Sequence, residues 1–124
     1  MPEAYQERRE KPWGHEVCVT PPGLERVGKL IFVKAGCKLS LQYHTEKEET
    51  ICLYSGEALL WWQETADATL EKIPMQKEAG YTVRPGNIHR FEAITDSLFF
   101  EVSSPEKGTT VRLDDDYRRP DEVR

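Results

Sequence analysis

Gln42, His44, Glu49 and His89 are the residues in this chain whose types and spacing could hold a metal ion. An amide oxygen, two imidazoles and a carboxylate suit a divalent first-row cation, and such an ion acts as a Lewis acid where one position stays open to a ligand oxygen. Gln42 and His44 lie in the segment KLSLQYH. If that segment is extended, alternation sets Ser40, Gln42 and His44 on one face and Leu39, Leu41 and Tyr43 on the other. Two donors separated by one residue then point side by side, as two ligands from one strand must. His89 follows the turn sequence RPGN and shares a face with Phe91 and Ala93, so it can look into the same interior. Taken singly, each residue has a plainer reading: a barrel histidine is commonly a hydrogen-bonded core residue, Gln42 can satisfy backbone groups, and Glu49 can belong to the exposed acidic loop TEKEE. Their joint spacing favours the metal.

That spacing runs Gly36, five residues, Gln42, one residue, His44, four residues, Glu49, six residues, Gly56. It resembles the first motif of the cupin superfamily, with Gln42 in place of the motif's first histidine. Gly80, Pro85, Gly86, two residues and His89 resemble the second motif in shorter form, with Ala93 where an asparagine is common. The segments KPWGHE, VKAGCKLSLQYH, SGEALL, HRF, FFEVSSPEKG and TVRLDDDYRR narrow the likeness further. Between Lys11 and Arg118 the chain is similar to the cupin domain of type II mannose-6-phosphate isomerases. Departures from that pattern are Thr45 and Glu46, where the family has a histidine-rich stretch, and Thr109 and Thr110, where it has an acidic pair.

The resemblance implies an all-β cupin barrel, a double-stranded β-helix or jelly roll, holding one divalent metal ion. It also implies aldose–ketose isomerisation of a phosphorylated sugar such as mannose 6-phosphate through an enediolate. Zinc is the favoured metal, because type I phosphomannose isomerases hold it with a Gln, His, Glu, His set; manganese, iron and nickel are compatible. The family-like FFEVSS segment makes Glu101 the first candidate for the base that shuttles the proton, and Lys38 the second. Arg90 matches the family's HR pair and would grip the phosphate, although a regular strand aims it away from its neighbour His89. Rival readings are a metal-dependent cupin oxygenase, lyase or tautomerase on another small molecule, and a non-catalytic sugar-binding module.

Short β-branched and aromatic segments broken by Pro and Gly signals must position these groups. The segmentation predicts strands at 14–20, 27–34, 38–44, 49–54, 57–63, 69–73, 81–84, 88–94, 97–103 and 109–113, with residues 64–80 open to a helical turn or to a loop and an edge strand. One barrel is expected over 13–113, preceded by a polar arm over 1–12 that orders only if it docks, and followed by a charged tail over 114–124. At 124 residues there is room for one core, and 38% hydrophobic with 31% charged residues suits a globular chain. A net charge of −5 without a basic stripe argues against nucleic-acid partners. No apolar run is long enough to cross a bilayer and the N-terminus lacks a signal-like apolar stretch, so the expectation is a cytoplasmic protein with no membrane partner. Small cupins resemble dimers, hence the expectation of a homodimer. Cys18, Cys37 and Cys52 lack metal-type spacing and are expected to be buried, reduced thiols. Trp61, Trp62, Tyr43 and Tyr54 could stack on a sugar, though packing is the commoner use of aromatic residues.

Overall fold

A computed structural model of the protein describes residues 2–114. The strands are β1 (Glu7–Lys11), β2 (Gly14–Cys18), β3 (Val27–Val33), β4 (Leu41–His44), β5 (Glu49–Ser55), β6 (Ala58–Gln63), β7 (Glu71–Pro74), β8 (Gly80–Val83), β9 (Ile88–Ala93), β10 (Ser97–Ser103) and β11 (Thr110–Asp114). No helix occurs among the described residues; the segment 64–80 holds a turn and β7. Of the tail expected over 114–124, Asp114 ends β11 and the rest lies outside the described residues.

Two antiparallel sheets face each other. One has six strands in the order β1-β2-β3-β10-β5-β8, and the other five in the order β11-β4-β9-β6-β7. Alternation decides what each strand sends inward. On β10, Ser97, Phe99, Glu101 and Ser103 are buried while Phe100 and Val102 are exposed; on β5, Glu49, Ile51 and Leu53 are buried. From the opposite sheet come Leu60, Phe91 and Ala93, and the rings of Phe91 and Phe99 meet at 5.7 Å. The interior is therefore divided along its length. Val33, Leu53, Ala58, Leu60, Ala93 and Phe99 close one end with apolar packing, while Glu49, Glu101 and Ser103 give the other a polar lining.

Residues 7–11, read from sequence as part of a polar arm, form β1 and dock on β2 in full register from Glu7↔Cys18 to Lys11↔Gly14. The hairpin turn carries Trp13 into the core, where it is 3% exposed. Gly14 has no side chain for a spatial reason: a Cβ there would run into the carbonyl oxygen of Phe32 on β3. The three cysteines are free but half-buried, rather than fully buried as expected.

The segment before β4 departs from regular alternation. Lys38 sits opposite Glu92, yet Gln42 sits opposite His89, so four steps along one strand match three along the other. This is a bulge, which inserts one residue and reverses the facing of what precedes it. Leu39 consequently packs against the core with Phe91 instead of sharing the outer face with Leu41 and Tyr43, and Lys38 turns outward.

Candidate metal centre

His44 ends β4, Glu49 opens β5 and His89 is the second residue of β9. All three are buried, and one donor atom from each falls within 4.8 Å of the others. Both imidazoles converge on a single carboxylate oxygen: Nε2 of His44 lies 3.2 Å and Nε2 of His89 lies 3.0 Å from Glu49 Oε1. Metal–ligand distances of about 2.1 Å and angles of about 90–109° would set neighbouring donors about 3.0–3.4 Å apart, so the spacing fits a small divalent ion.

Each imidazole is oriented from behind. His89 Nδ1 lies 3.1 Å from the carbonyl oxygen of Asn87, which can only accept, so Nδ1 carries the proton. That leaves Nε2 as the ring atom that faces Glu49 Oε1 and the cavity, the atom a bound ion would meet. His44 Nδ1 contacts the Thr110 hydroxyl of β11 at 2.9 Å. Such outer partners fix ring orientation in metal sites. Burial would push the Glu49 carboxyl up, but hydrogen bonds from His44 and His89 and the nearby Lys47 outweigh it and hold it well below the usual carboxylate range.

Gln42, the cross-strand partner of His89, faces the same cavity, and its Oε1 accepts a 2.6 Å hydrogen bond from Ser40. Glu101 is brought to the cluster from β10. It is 5% exposed, hydrogen-bonded with Glu49, and accepts from Ser103 Oγ at 3.2 Å. Burial, reinforced by the charge of Glu49, pushes its carboxyl up to about 7.

Lys47 is a member of the site that the sequence did not reveal. It sits inside TEKEE, flanked by glutamates, yet is only 5% exposed. Its ammonium lies 3.5 Å from Glu49 Oε2, 3.5 Å from Glu101 Oε2 and 3.1 Å from Glu106 Oε1. Burial alone would lower the Lys47 pKa, but the three carboxylates outweigh it and hold the ammonium above its ordinary range.

Lys38 and Arg90 stand apart from the cluster. Arg90 borders the cavity, but alternation sends its side chain to the outer side of the five-stranded sheet. There Nε donates to the Leu39 carbonyl at 2.8 Å, Nη1 lies 3.4 Å from Asp114 Oδ2, and the guanidinium lies 5.1 Å from the Trp61 ring centroid. Lys38 lies over the same ring at 5.2 Å, as does Lys72 at 4.1 Å. Trp61 is thus engaged by cations of its own sheet, and Tyr54 is exposed. The cluster itself lies in a cavity of about 560 Å³ whose rim includes Arg9 and Lys11 of β1.

A search of solved structures returns CapF, a capsular polysaccharide assembling protein from Staphylococcus aureus, at a TM-score of 0.78 over 90% of this chain with 14% identity. It also returns oxalate decarboxylase from Bacillus subtilis, described with Mn(II) centres, at 0.72 over 87% with 19% identity. Both are cupin-fold proteins. This chain has the cupin fold. The aligned cupin region spans 32% and 30% of those longer proteins, and at such identities the likeness is one of fold. No protein-family profile and no curated protein matches the sequence. Within this cupin, the two histidines and Glu49 come from β4, β5 and β9, strands that only the closed pair of sheets brings together.

Proposed function

We propose that this cupin is a metal-dependent enzyme that isomerises a phosphorylated sugar between its aldose and ketose forms. The observation that supports it is the placing of a second buried carboxylate, Glu101, against the His44, Glu49 and His89 cluster within one cavity. His44, Glu49 and His89, with Gln42 beside them, would hold the ion, zinc being the first candidate and manganese, iron or nickel the others. When bound, the ion supplies Lewis-acid polarisation of carbonyl and hydroxyl oxygens.

The protein's own residues account for the rest. Glu101, as carboxylate, takes the proton from the carbon next to the carbonyl and returns it to the former carbonyl carbon. The hydroxyl proton passes from one oxygen to the other, so the exchange balances without an oxidant or reductant. Ser103 and Lys47 hold Glu101 Oε2 in place, which is the positioning that proton transfer demands. The apolar end, with Phe91 and Phe99, keeps water from entering behind the ligand.

The test begins with elemental analysis of the purified protein and continues with NMR of the loaded protein in deuterated water. A panel of hexose and pentose phosphates should include one member that yields product or takes up deuterium at C1 or C2. Neither outcome in any member would reject isomerisation and leave the oxygenase or lyase readings.

A further inference from the structure

We infer that Lys11 and Lys29, set on either side of Glu16, form the anion receptor of the cavity and bind the phosphate of a ligand whose other oxygens reach the His44, Glu49 and His89 cluster. This rests on the proposed function above and names the pair that selects its substrates.

Strand register carries the inference. Arg9 pairs with Glu16, while Lys29 pairs with Cys18 on one side and with Glu101 on the other. Residues directly opposite each other share a face, as do alternate residues along a strand, so Lys11 of β1, Glu16 of β2 and Lys29 of β3 face the interior with Glu101. All three line the cavity. The Lys11 and Lys29 ammoniums lie 4.0 Å and 3.9 Å from the same oxygen, Oε1 of Glu16, too far for a hydrogen bond from either. Arg9, on the same face, is answered by Glu7 at 2.6 Å, which leaves the single carboxylate of Glu16 to balance two ammoniums. The side chains of Lys11, Glu16 and Lys29 are 28%, 15% and 18% exposed, so solvent screens the unbalanced charge only in part.

Charge and distance agree with that role. The chain has a net charge of −5, yet its cavity lining, leaving aside the outward-pointing Arg90, carries five lysines and arginines against four glutamates, before the charge of any ion is added. A cavity of that sign concentrates anions. The contacts to Glu16 set the two ammoniums no more than about 8 Å apart, and charge-assisted hydrogen bonds of about 2.8 Å on either side of one phosphate group span about the same length. Lysine, a point charge with three rotatable donors, suits a phosphate approached from two strands at once. Neighbouring strands lie about 4.8 Å apart, so Lys29 on β3 stands about 10 Å from β5, where Glu49 opens the cluster. That separation fits an anion carried several atoms away from the oxygens that meet the ion, as in a sugar phosphorylated at the end opposite its carbonyl.

Calorimetric titration of the metal-loaded protein with inorganic phosphate, mannose 6-phosphate and mannose tests the assignment. The wild type should bind mannose 6-phosphate at least about tenfold more tightly than mannose, the worth of one hydrogen bond between charged groups. Lys11→Met and Lys29→Met should each reduce that preference and weaken inorganic phosphate by a similar factor, without changing metal content. Glu16→Gln removes the competing carboxylate and keeps its shape, so it should act in the opposite direction, tightening mannose 6-phosphate several-fold and leaving mannose unchanged; it decides the matter if a lysine variant does not fold. A wild type that does not distinguish the two sugars, either lysine variant with the wild-type preference, or Glu16→Gln binding mannose 6-phosphate no better than the wild type would overturn the inference. Deuterium exchange and product formation followed by NMR on the same samples keep the two readings apart. A loaded wild type whose preference is lost in the lysine variants, yet which neither exchanges nor isomerises any sugar phosphate of the panel, keeps the receptor and loses the proposed function. Unchanged preference in the lysine variants of a protein that does isomerise removes the receptor alone.

Discussion

Lys47 and Glu49 divide the work of one carboxylate: the Lys47 ammonium lies 3.5 Å from Oε2, and the two histidines address Oε1. The carboxylate is thereby fixed edge-on, with one oxygen committed to charge neutralisation and the other offered to the cavity. Two buried carboxylates in contact, Glu49 and Glu101, could not both ionise at neutral pH without such a neighbour.

Replacing Lys47 by methionine should destabilise the fold, because removing one member of a buried ionic group leaves the others uncompensated. The usual cost is about 3–5 kcal/mol. Urea denaturation of the metal-free protein would read it as a lowered midpoint with an unchanged slope. A midpoint within error of the wild type would show that the lysine is incidental.

Substituting alanine for His44 and His89 together should abolish stoichiometric metal uptake while the strands persist. The apolar end of the barrel, which carries the packing, does not include either ring. Elemental analysis after dialysis, with circular dichroism as the fold control, checks this. Equal metal content in the double variant and the wild type would place the ion elsewhere.

Glu101→Gln keeps the shape of the side chain and removes its ability to accept a proton. With the metal retained, turnover of the substrate found in the NMR panel should fall by about two to four orders of magnitude, the ordinary worth of a positioned general base. The Michaelis constant should change far less, so kcat and KM measured separately make the distinction. Undiminished turnover would transfer the role to another group.

A chain beginning at Lys11 should keep its metal, since no residue of β1 belongs to the donor cluster. It should nevertheless lose stability and solubility, because removing Glu7–Glu10 exposes the edge of β2 that those residues cover. Size-exclusion chromatography and metal analysis on one preparation measure both effects. Loss of the ion from a soluble, folded truncation would mean that β1 supports the centre itself.

Much of the fold was legible because proline and glycine punctuate segments of even length. The ten segments predicted from residue 14 onward correspond to β2 through β11 within a few residues. β1 escaped notice because ERREK is polar on both faces and shows no alternation; its order comes from the ladder to β2 and from ion pairs such as Arg9 with Glu7 at 2.6 Å. The convergence of His44, Glu49 and His89 followed from glycine-framed spacing. Lys47 could not be found that way, since a lysine among glutamates looks solvated, and only the return of Glu101 and Glu106 from distant sequence buries it. Lys11 and Lys29 were equally hidden as a pair, because their meeting at Glu16 is set by the registers of β1, β2 and β3, which no local pattern encodes. The expectation that Arg90 grips a phosphate met the objection already visible in its adjacency to His89, and the structure gives that guanidinium partners on the outer side of the sheet.

The extra residue between Lys38 and Gln42 makes this stretch intolerant of changes in length, whatever its tolerance of changes in identity. A one-codon deletion there has two outcomes. If the register with β9 holds upstream, Gln42 and His44 rotate out of the cavity; if it holds downstream, Lys38 is driven toward Phe91 and Leu60 and its charge loses water. Lineages of this gene should accordingly accumulate point substitutions at Lys38, Leu41 and Tyr43 while keeping the spacing from Gly36 to Gln42 free of insertions and deletions.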